Sequence, residues 1–300
     1  MTTPATFHLK LPATSANLGP GFDALGLAMA LYLTIDAAPA DTNAIHATGR
    51  DAELCGALDN NLILSTYEEV LAAAGLPGPP LSLELHNEIP LGMGCGSSAA
   101  ALLAGVLLAN HFGQLNWTEQ QILGEACRRE GHPDNVAACY LGGMTASAIA
   151  QGEVITATFG EELGWPLLLA LPAASLATRQ ARALLPEMYS RADAVANIQS
   201  TALLVAAFSQ NRPDLLRMAM RDRIHQPYRS EVCPLLPLLA PLAGQQGVLG
   251  VALSGAGPSV LLILKRGANL NIVSNTICHL VGEHYVELLQ TEISNRKVYR

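Results

Sequence analysis

The stretch richest in chemistry is Pro90-Leu-Gly-Met-Gly-Cys-Gly-Ser-Ser-Ala-Ala100. Gly92, Gly94 and Gly96 stand at alternate positions, where glycine opens backbone conformations closed to other residues and lets the main chain approach a ligand. Ser97 and Ser98 follow, then an alanine- and leucine-rich run to Phe112 with apolar residues on almost every face. That run reads as a buried helix. A loop feeding a helix N-terminus offers free N–H groups and the positive dipole end, so its natural occupant is an anion. The two serine hydroxyls can donate to a phosphate or reach Mg²⁺. The loop lacks the Gly-Lys-Ser/Thr of a Walker A motif and the G-x-G-x-x-G spacing of a dinucleotide fingerprint. The bland alternative is a glycine-rich turn with a serine N-cap.

Two further segments share this character. Pro12–Gly26 (PATSANLGPGFDALG) is small, polar and glycine-rich directly after an alternating run, and reads as a loop. Ser254-Gly-Ala-Gly-Pro-Ser259 lies between two apolar runs. Loops of this kind on rigid strands suit an enzyme that closes on a small polar substrate.

The composition narrows the partners. The 300 residues carry 25 acidic against 17 basic groups, a formal charge of -8, which speaks against a general nucleic-acid binder. Lysine occurs only at 10, 265 and 297, so an anion site must rely on arginine, backbone N–H groups or a metal. The six cysteines form no C-x-x-C pair and no metal-type cluster with the eight histidines, which reads as free thiols in a reducing cytosol. Met1–Lys10 has no basic region followed by an apolar run, so a cytoplasmic protein is expected.

The elements that must hold these segments follow from periodicity. Phe7–Leu11, Ala30–Ala37 and Leu81–Ile89 read as strands, and Thr118-Glu-Gln-Gln121 is a capping box opening a helix to Glu130. Short strands are expected near Met144–Ile149, Val154–Phe159 and Trp165–Leu171. Helices are expected over Tyr189–Gln210, Asp214–Arg223 and Asn269–Glu283. Val248–Ser254 and Ser259–Lys265 flank the glycine turn as strands, and Tyr285–Ile293 reads as a last one. Strands and helices mix without strict alternation, which predicts an α+β protein. Two domains are expected, 1–165 with the phosphate loop and 166–300.

With all three segments in view, the sequence resembles the GHMP kinase superfamily, and within it the homoserine kinase family. The loop is similar to the P-x-x-x-G-L-G-S-S-A-A phosphate loop, with Cys95 in place of the usual leucine. PATSANLGPGFDALGLA, EGHPDNVA and SGAGPS are similar to the family's other signatures. Cys95 reads as a tolerated apolar substitution, or as a thiol that loosens the loop or makes it oxidation-sensitive. The resemblance implies an N-terminal half like ribosomal protein S5 domain 2 and a ferredoxin-like C-terminal half. It implies transfer of the γ-phosphoryl of ATP to the hydroxyl of L-homoserine, a step towards threonine. It also implies a homodimer.

The resemblance further implies roles for residues. Pro90, Leu91, Gly92, Met93, Gly94, Cys95, Gly96, Ser97, Ser98, Ala99 and Ala100 would hold ATP, with Asn61 and Leu62 beside the adenine. Homoserine is a zwitterion, so its site needs a cation for the carboxylate, and arginine suits this through bidentate pairing. Arg182 and Arg229 stand where the resemblance wants them, with Arg179 left to the surface. Asp23 would take the ammonium, with Asn17 beside it. His132 and Asn135 would face the hydroxyl, and Asp134 would face the site or hold the loop. Glu130 with Ser98 would hold Mg²⁺, Glu125 being a rival. Thr178 would touch phosphate or substrate, and Gly255 and Gly257 would close beside the loop. A lysine–aspartate pair, if used, would need Lys10. Competing readings are another small-molecule kinase of mevalonate or shikimate type, and a non-catalytic ATP-binding sensor.

Overall fold

The computed structural model describes residues 6–160, 162–283, 285–295 and 298; Lys297 and the first five residues lie outside the described set. The chain runs β1 (Phe7–Asn17), β2 (Gly21–Pro39), β3 (Ala44–Gly49), α1 (Ala52–Gly56), α2 (Leu62–Ala73), β4 (Leu81–Asn87) and α3 (Ser97–Phe112). It continues through α4 (Glu119–Glu130), α5 (Asp134–Leu141), β5 (Met144–Ala150), β6 (Glu153–Phe159), β7 (Leu167–Pro172), α6 (Thr178–Ala183) and α7 (Arg191–Ser209). The remainder is α8 (Leu216–Ala219), α9 (Gln226–Arg229), α10 (Leu235–Leu239), β8 (Val248–Leu253), β9 (Val260–Leu264), α11 (Leu270–Val281) and β10 (Val286–Thr291).

Two sheets result, and the protein is α+β. The first has the order β3-β4-β2-β5-β6, with β1 paired to β2; the second is β10-β7-β9-β8, antiparallel throughout. The chain passes from one sheet to the other between Phe159 and Leu167. One hydrophobic cluster crosses that passage, with Leu163, Trp165, Leu204 and Phe208 joining Leu9, Leu25 and Leu103, while a second, with Leu168, Leu239, Val260 and Ile277, belongs to the second half alone. α3 is buried from Ala99 to Ala109 except at Ala101, as its all-round apolar sequence demands. The capping box at Thr118 and Gln121 is formed. None of the described helices is long and apolar enough to cross a membrane.

Three expectations of local structure need correcting. The segment Pro12–Gly26 is not a loop: β1 extends to Asn17 and β2 begins at Gly21, leaving only Leu18–Pro20 as a turn. Its small residues are buried on both faces, so period-two alternation is absent. Gly26 lies so close under the Asp134 carbonyl of α5 that a Cβ would collide with it. The helix expected over Asp214–Arg223 stops at Ala219, because the Asp222 carboxylate accepts the N–H groups of Ile224, His225 and Gln226 and starts α9 instead. Finally, α2 and α5 fall where no helix was expected. The start signal of α2 was present in Asn61, whose side chain accepts from Ile63 and Leu64 N–H.

Candidate active site

Gly92, Gly94 and Gly96 all have positive φ, 68°, 74° and 71°. A Cβ on Gly94 would strike the Ser254 carbonyl, and one on Gly96 would strike Thr14 Oγ1. The loop is stitched to both neighbouring segments. Thr14 N–H donates to Cys95 O at 3.0 Å, Ser254 Oγ donates to Gly94 O at 2.7 Å, and Gly255 N–H donates to Ala16 O at 3.1 Å. The three segments singled out in the sequence thus meet at one place.

The N-cap of α3 is Gly96, left-handed and without a side-chain cap, so the serine-cap reading of this loop fails. The first N–H groups of α3 are therefore not taken up by a capping side chain. They border a cleft of about 290 Å³ lined by Gly92, Gly94, Gly96, Ser97 and Ser98 on one side and by Asp23, His132, Arg182 and Arg229 on the other. Pro90, Ala99 and Ala100 are buried behind the loop and do not line the cleft. Cys95 is buried too, and burial pushes its thiol up to about 12. A raised thiol of this kind disfavours the oxidation-sensitive reading, although Cys95 does border the cleft.

On the opposite wall, Arg182 pairs with Asp23 through two hydrogen bonds of 2.8 and 2.7 Å. Asn17 spends both polar atoms on backbone. Its Oδ1 accepts from Asp23 N–H at 3.0 Å, and its Nδ2 donates to Gly255 O at 2.9 Å, so it fixes the backbone of Asp23. Phe22 has both guanidinium carbons over its ring, Arg182 at 5.2 Å and Arg229 at 5.4 Å. Arg229 is 1% exposed, and among the described residues no carboxylate lies in salt-bridge range of it. Burial, with Arg182 beside it, lowers its pKa. A buried cation without a counter-ion calls for an anionic ligand.

His132 Nδ1 lies 2.7 Å from Asp134 Oδ1. An ionised carboxylate only accepts, so Nδ1 donates and Nε2 is left for the cleft. Burial pulls the His132 pKa down, but the Asp134 hydrogen bond and the charges of Asp134, Glu130 and Asp23 outweigh it, and the net shift is upward. Asn135 is held from both ends: Thr14 Oγ1 donates to its Oδ1 at 2.7 Å, and its N–H donates to Asp134 Oδ1 at 2.7 Å.

Ser98 Oγ donates to Glu130 Oε2 at 3.2 Å beside the loop, and burial raises the Glu130 pKa. Glu125 is engaged elsewhere, with Arg128 at 2.8 Å and Arg129 at 2.7 Å, and does not line the cleft. Lys10 lies over the Tyr32 ring at 4.1 Å and does not line it either. Thr178 and Gly255 line it, whereas Arg179 is exposed.

A second cavity of about 260 Å³ shares Ser97 and Ser98 with the cleft and is otherwise mostly apolar, with Leu33, Cys55, Leu62, Ile63 and Leu91 among its walls. Asn61 does not line it. Its side chain caps α2 and donates to Cys55 and Ala57 carbonyls.

Comparison with known proteins bears on this arrangement. The family model described as GHMP kinases N terminal domain matches residues 61–143, and that described as GHMP kinases C terminal matches 204–281. A homoserine kinase of Solibacter usitatus is 47% identical, over 97% of this chain and 95% of its own length. The chain belongs to the homoserine kinase family of GHMP kinases. A second relative, a homoserine kinase of Desulfitobacterium hafniense, is 41% identical over 86% of each chain. The crystal structure of homoserine kinase from Cytophaga hutchinsonii is 24% identical, and the same fold extends over 100% of this chain and 98% of that one with a TM-score of 0.81.

Sequence reasoning about this GHMP kinase missed Phe22 and Leu176 in the cleft wall, and Thr14 and His225 behind it. Phe22 and Thr14 lay inside segments read for their glycines and polar groups. His225 carried one available signal, its i,i+4 spacing to Arg229. Leu176 carried none; its N–H donates to Gly92 O at 3.3 Å, and it reaches the cleft only through tertiary folding.

Proposed function

We propose that this enzyme transfers the γ-phosphoryl group of ATP to the side-chain hydroxyl of L-homoserine, giving O-phospho-L-homoserine and ADP. The observation that carries the reading is Arg229, a buried guanidinium with no carboxylate partner among the described residues, in a cleft whose floor is the phosphate loop. A zwitterionic amino acid suits this cleft. Its carboxylate takes Arg229 and Arg182, and its ammonium takes Asp23, whose carboxylate lies within 4.8 Å of polar atoms on His132 and Asp134. The hydroxyl then lies towards His132 and Asn135 and faces the loop.

The triphosphate lies along the N–H groups from Gly94 to Ser98, and the adenine enters the apolar cavity beside them. Ser98 and Glu130 form an oxygen-only donor pair, the kind Mg²⁺ accepts, and would hold it. When bound, Mg²⁺ supplies charge neutralisation to the phosphates. In the transfer, the hydroxyl oxygen forms a bond to phosphorus as the bond to ADP breaks, and ADP leaves with that electron pair. The transition state is loose, so the hydroxyl proton leaves late, to a phosphoryl oxygen or to water, and positioning carries most of the catalysis.

The test is ADP release from Mg·ATP with homoserine, mevalonate, shikimate and galactose offered in turn. Stimulation by homoserine alone is expected. Release driven by another acceptor, or none by homoserine, overturns the reading.

A further inference from the structure

His225 is fully buried, titratable and unused by any role given above. It stands four residues before Arg229, and its two ring nitrogens face different groups. Nδ1 lies 3.1 Å from an Arg229 Nη1, and Nε2 lies 2.8 Å from the Gly19 carbonyl oxygen. A guanidinium can only donate and a carbonyl can only accept. One protonation state satisfies both: neutral imidazole, with the proton on Nε2 and the lone pair of Nδ1 turned to the arginine. An imidazolium would set N–H against N–H and a second positive charge against Arg229.

The surroundings hold that state. Asp222 lies 3.6 Å from Nε2, but its oxygens already accept the N–H groups of Ile224, His225 and Gln226. Gly19, at the turn between β1 and β2, has φ 89°, and a Cβ there would strike the Met220 carbonyl, so its own carbonyl is fixed in place. Arg229 is otherwise held by Nε donating to Ala181 O at 3.2 Å and Nη1 to Gly255 O at 3.5 Å. Among the described residues, its Nη2 has no protein acceptor.

We infer that His225 is a positioning residue for substrate selection: it spans the Gly19 carbonyl and the Arg229 guanidinium as the Nε2–H tautomer, and so aims the unpartnered Nη2 of Arg229 at the acceptor's carboxylate. This rests on the reading of Arg229 as a carboxylate ligand. The arrangement ties the β1–β2 turn, which leads into Asp23, to the arginine on the same wall of the cleft. Both ends of the zwitterion site are thereby set by one side chain that touches no substrate.

Steady-state kinetics on three variants test this. His225→Leu removes both bonds, His225→Gln keeps a donor for Gly19 but places no acceptor at the Nδ1 position, and His225→Asn keeps an acceptor there. His225→Leu and His225→Gln should raise the homoserine KM about tenfold, as expected for losing one hydrogen bond to a charged group. The ATP KM should stay within about twofold, and His225→Asn should recover most of the loss. In an Arg229→Ala background, His225→Gln should add almost nothing, since the two act as a unit.

Unchanged homoserine KM in His225→Gln, or a full additive effect on top of Arg229→Ala, overturns the positioning role. If His225→Leu fails to fold, the contrast between Gln and Asn still decides. An Arg229→Ala enzyme with unchanged homoserine KM overturns the carboxylate reading itself, a result distinguishable from failure of the histidine variants alone.

Discussion

Asp23 and Arg182 face each other across the site as a bidentate ion pair, and each is the complement of one charge on an α-amino acid. A zwitterion entering between them exchanges one ion pair for two. An acceptor lacking the ammonium would take Arg182 and strand Asp23, so the pair discriminates by what it leaves unpaired. Asp23→Asn should therefore raise the homoserine KM by about 10- to 100-fold, the scale of a lost charge-assisted bond, while barely changing turnover of the des-amino analogue. Comparing kcat/KM for the two acceptors checks it. If Glu130 is a ligand of Mg²⁺ as proposed, Glu130→Gln should weaken Mg·ATP turnover, whereas Glu125→Gln should not, because Glu125 faces Arg128 and Arg129 instead. Titrating Mg²⁺ against activity in both variants separates them. Asp23, Arg182, Arg229 and Glu130 were singled out in the sequence through the resemblance, and the structure brings all four to one cleft. Thr14, Phe22 and His225 were not, since each acts through a neighbour that only folding brings near.

At the scale of elements, the phosphate loop owes its shape to contacts on both sides. Gly94→Ala would put a methyl group into the Ser254 carbonyl at a φ of 74°. The loop must shift by about an ångström, enough to lower kcat/KM about 10²-fold, with ATP binding weakened in parallel. ATP titration beside initial rates measures both. The glycine spacing announced this loop from sequence, and the apolar run announced α3. The open end of the β1–β2 hairpin reads as strand at Phe7–Leu11 and Ala30–Ala37, but its inner end, Pro12–Gly26, was hidden because small residues bury both its faces and erase the alternation that marks a strand. The short α9 was hidden because Asp222, a side chain outside the helix, starts it.

That same cap places His225 where burial lowers its pKa, with Asp222 and Asp23 opposing and Arg229 reinforcing the shift. The unfolded chain then binds the proton more readily than the folded one. The contribution to stability is complete above the ordinary histidine value of 6.5 and is lost as pH falls towards the depressed folded value. Urea midpoints should drop between about pH 7.5 and about pH 5, and the drop should be smaller in His225→Asn.

At the scale of the molecule, two sheets share one hydrophobic cluster, and the cleft opens where the β1–β2 hairpin, the phosphate loop and the β8–β9 turn converge. The two-sheet α+β arrangement followed from element types. The cluster common to both sheets did not, because nothing in the pattern of Leu163 and Trp165, at the expected boundary, or of Phe208, beyond it, shows that they pack together with the first sheet. We propose the division into 1–165 and 166–300 as a change of sheet rather than a seam in the packing.

The backbone bond from Gly255 to Ala16 has a consequence for assembly order. It closes a loop over most of the chain, and contacts so distant are late to form, since loop-closure entropy must be met first. The helices can form early, but the nucleotide cradle cannot exist until the β8–β9 turn has arrived. In refolding, fluorescence from a bound nucleotide analogue should lag behind the recovery of helical circular dichroism. Simultaneous recovery would mean that the cradle forms without its last stitch. A nascent chain still short of Ser254 would have its helices as far as α10 and no grip on ATP, so competence to bind nucleotide waits for the β8–β9 turn to be made.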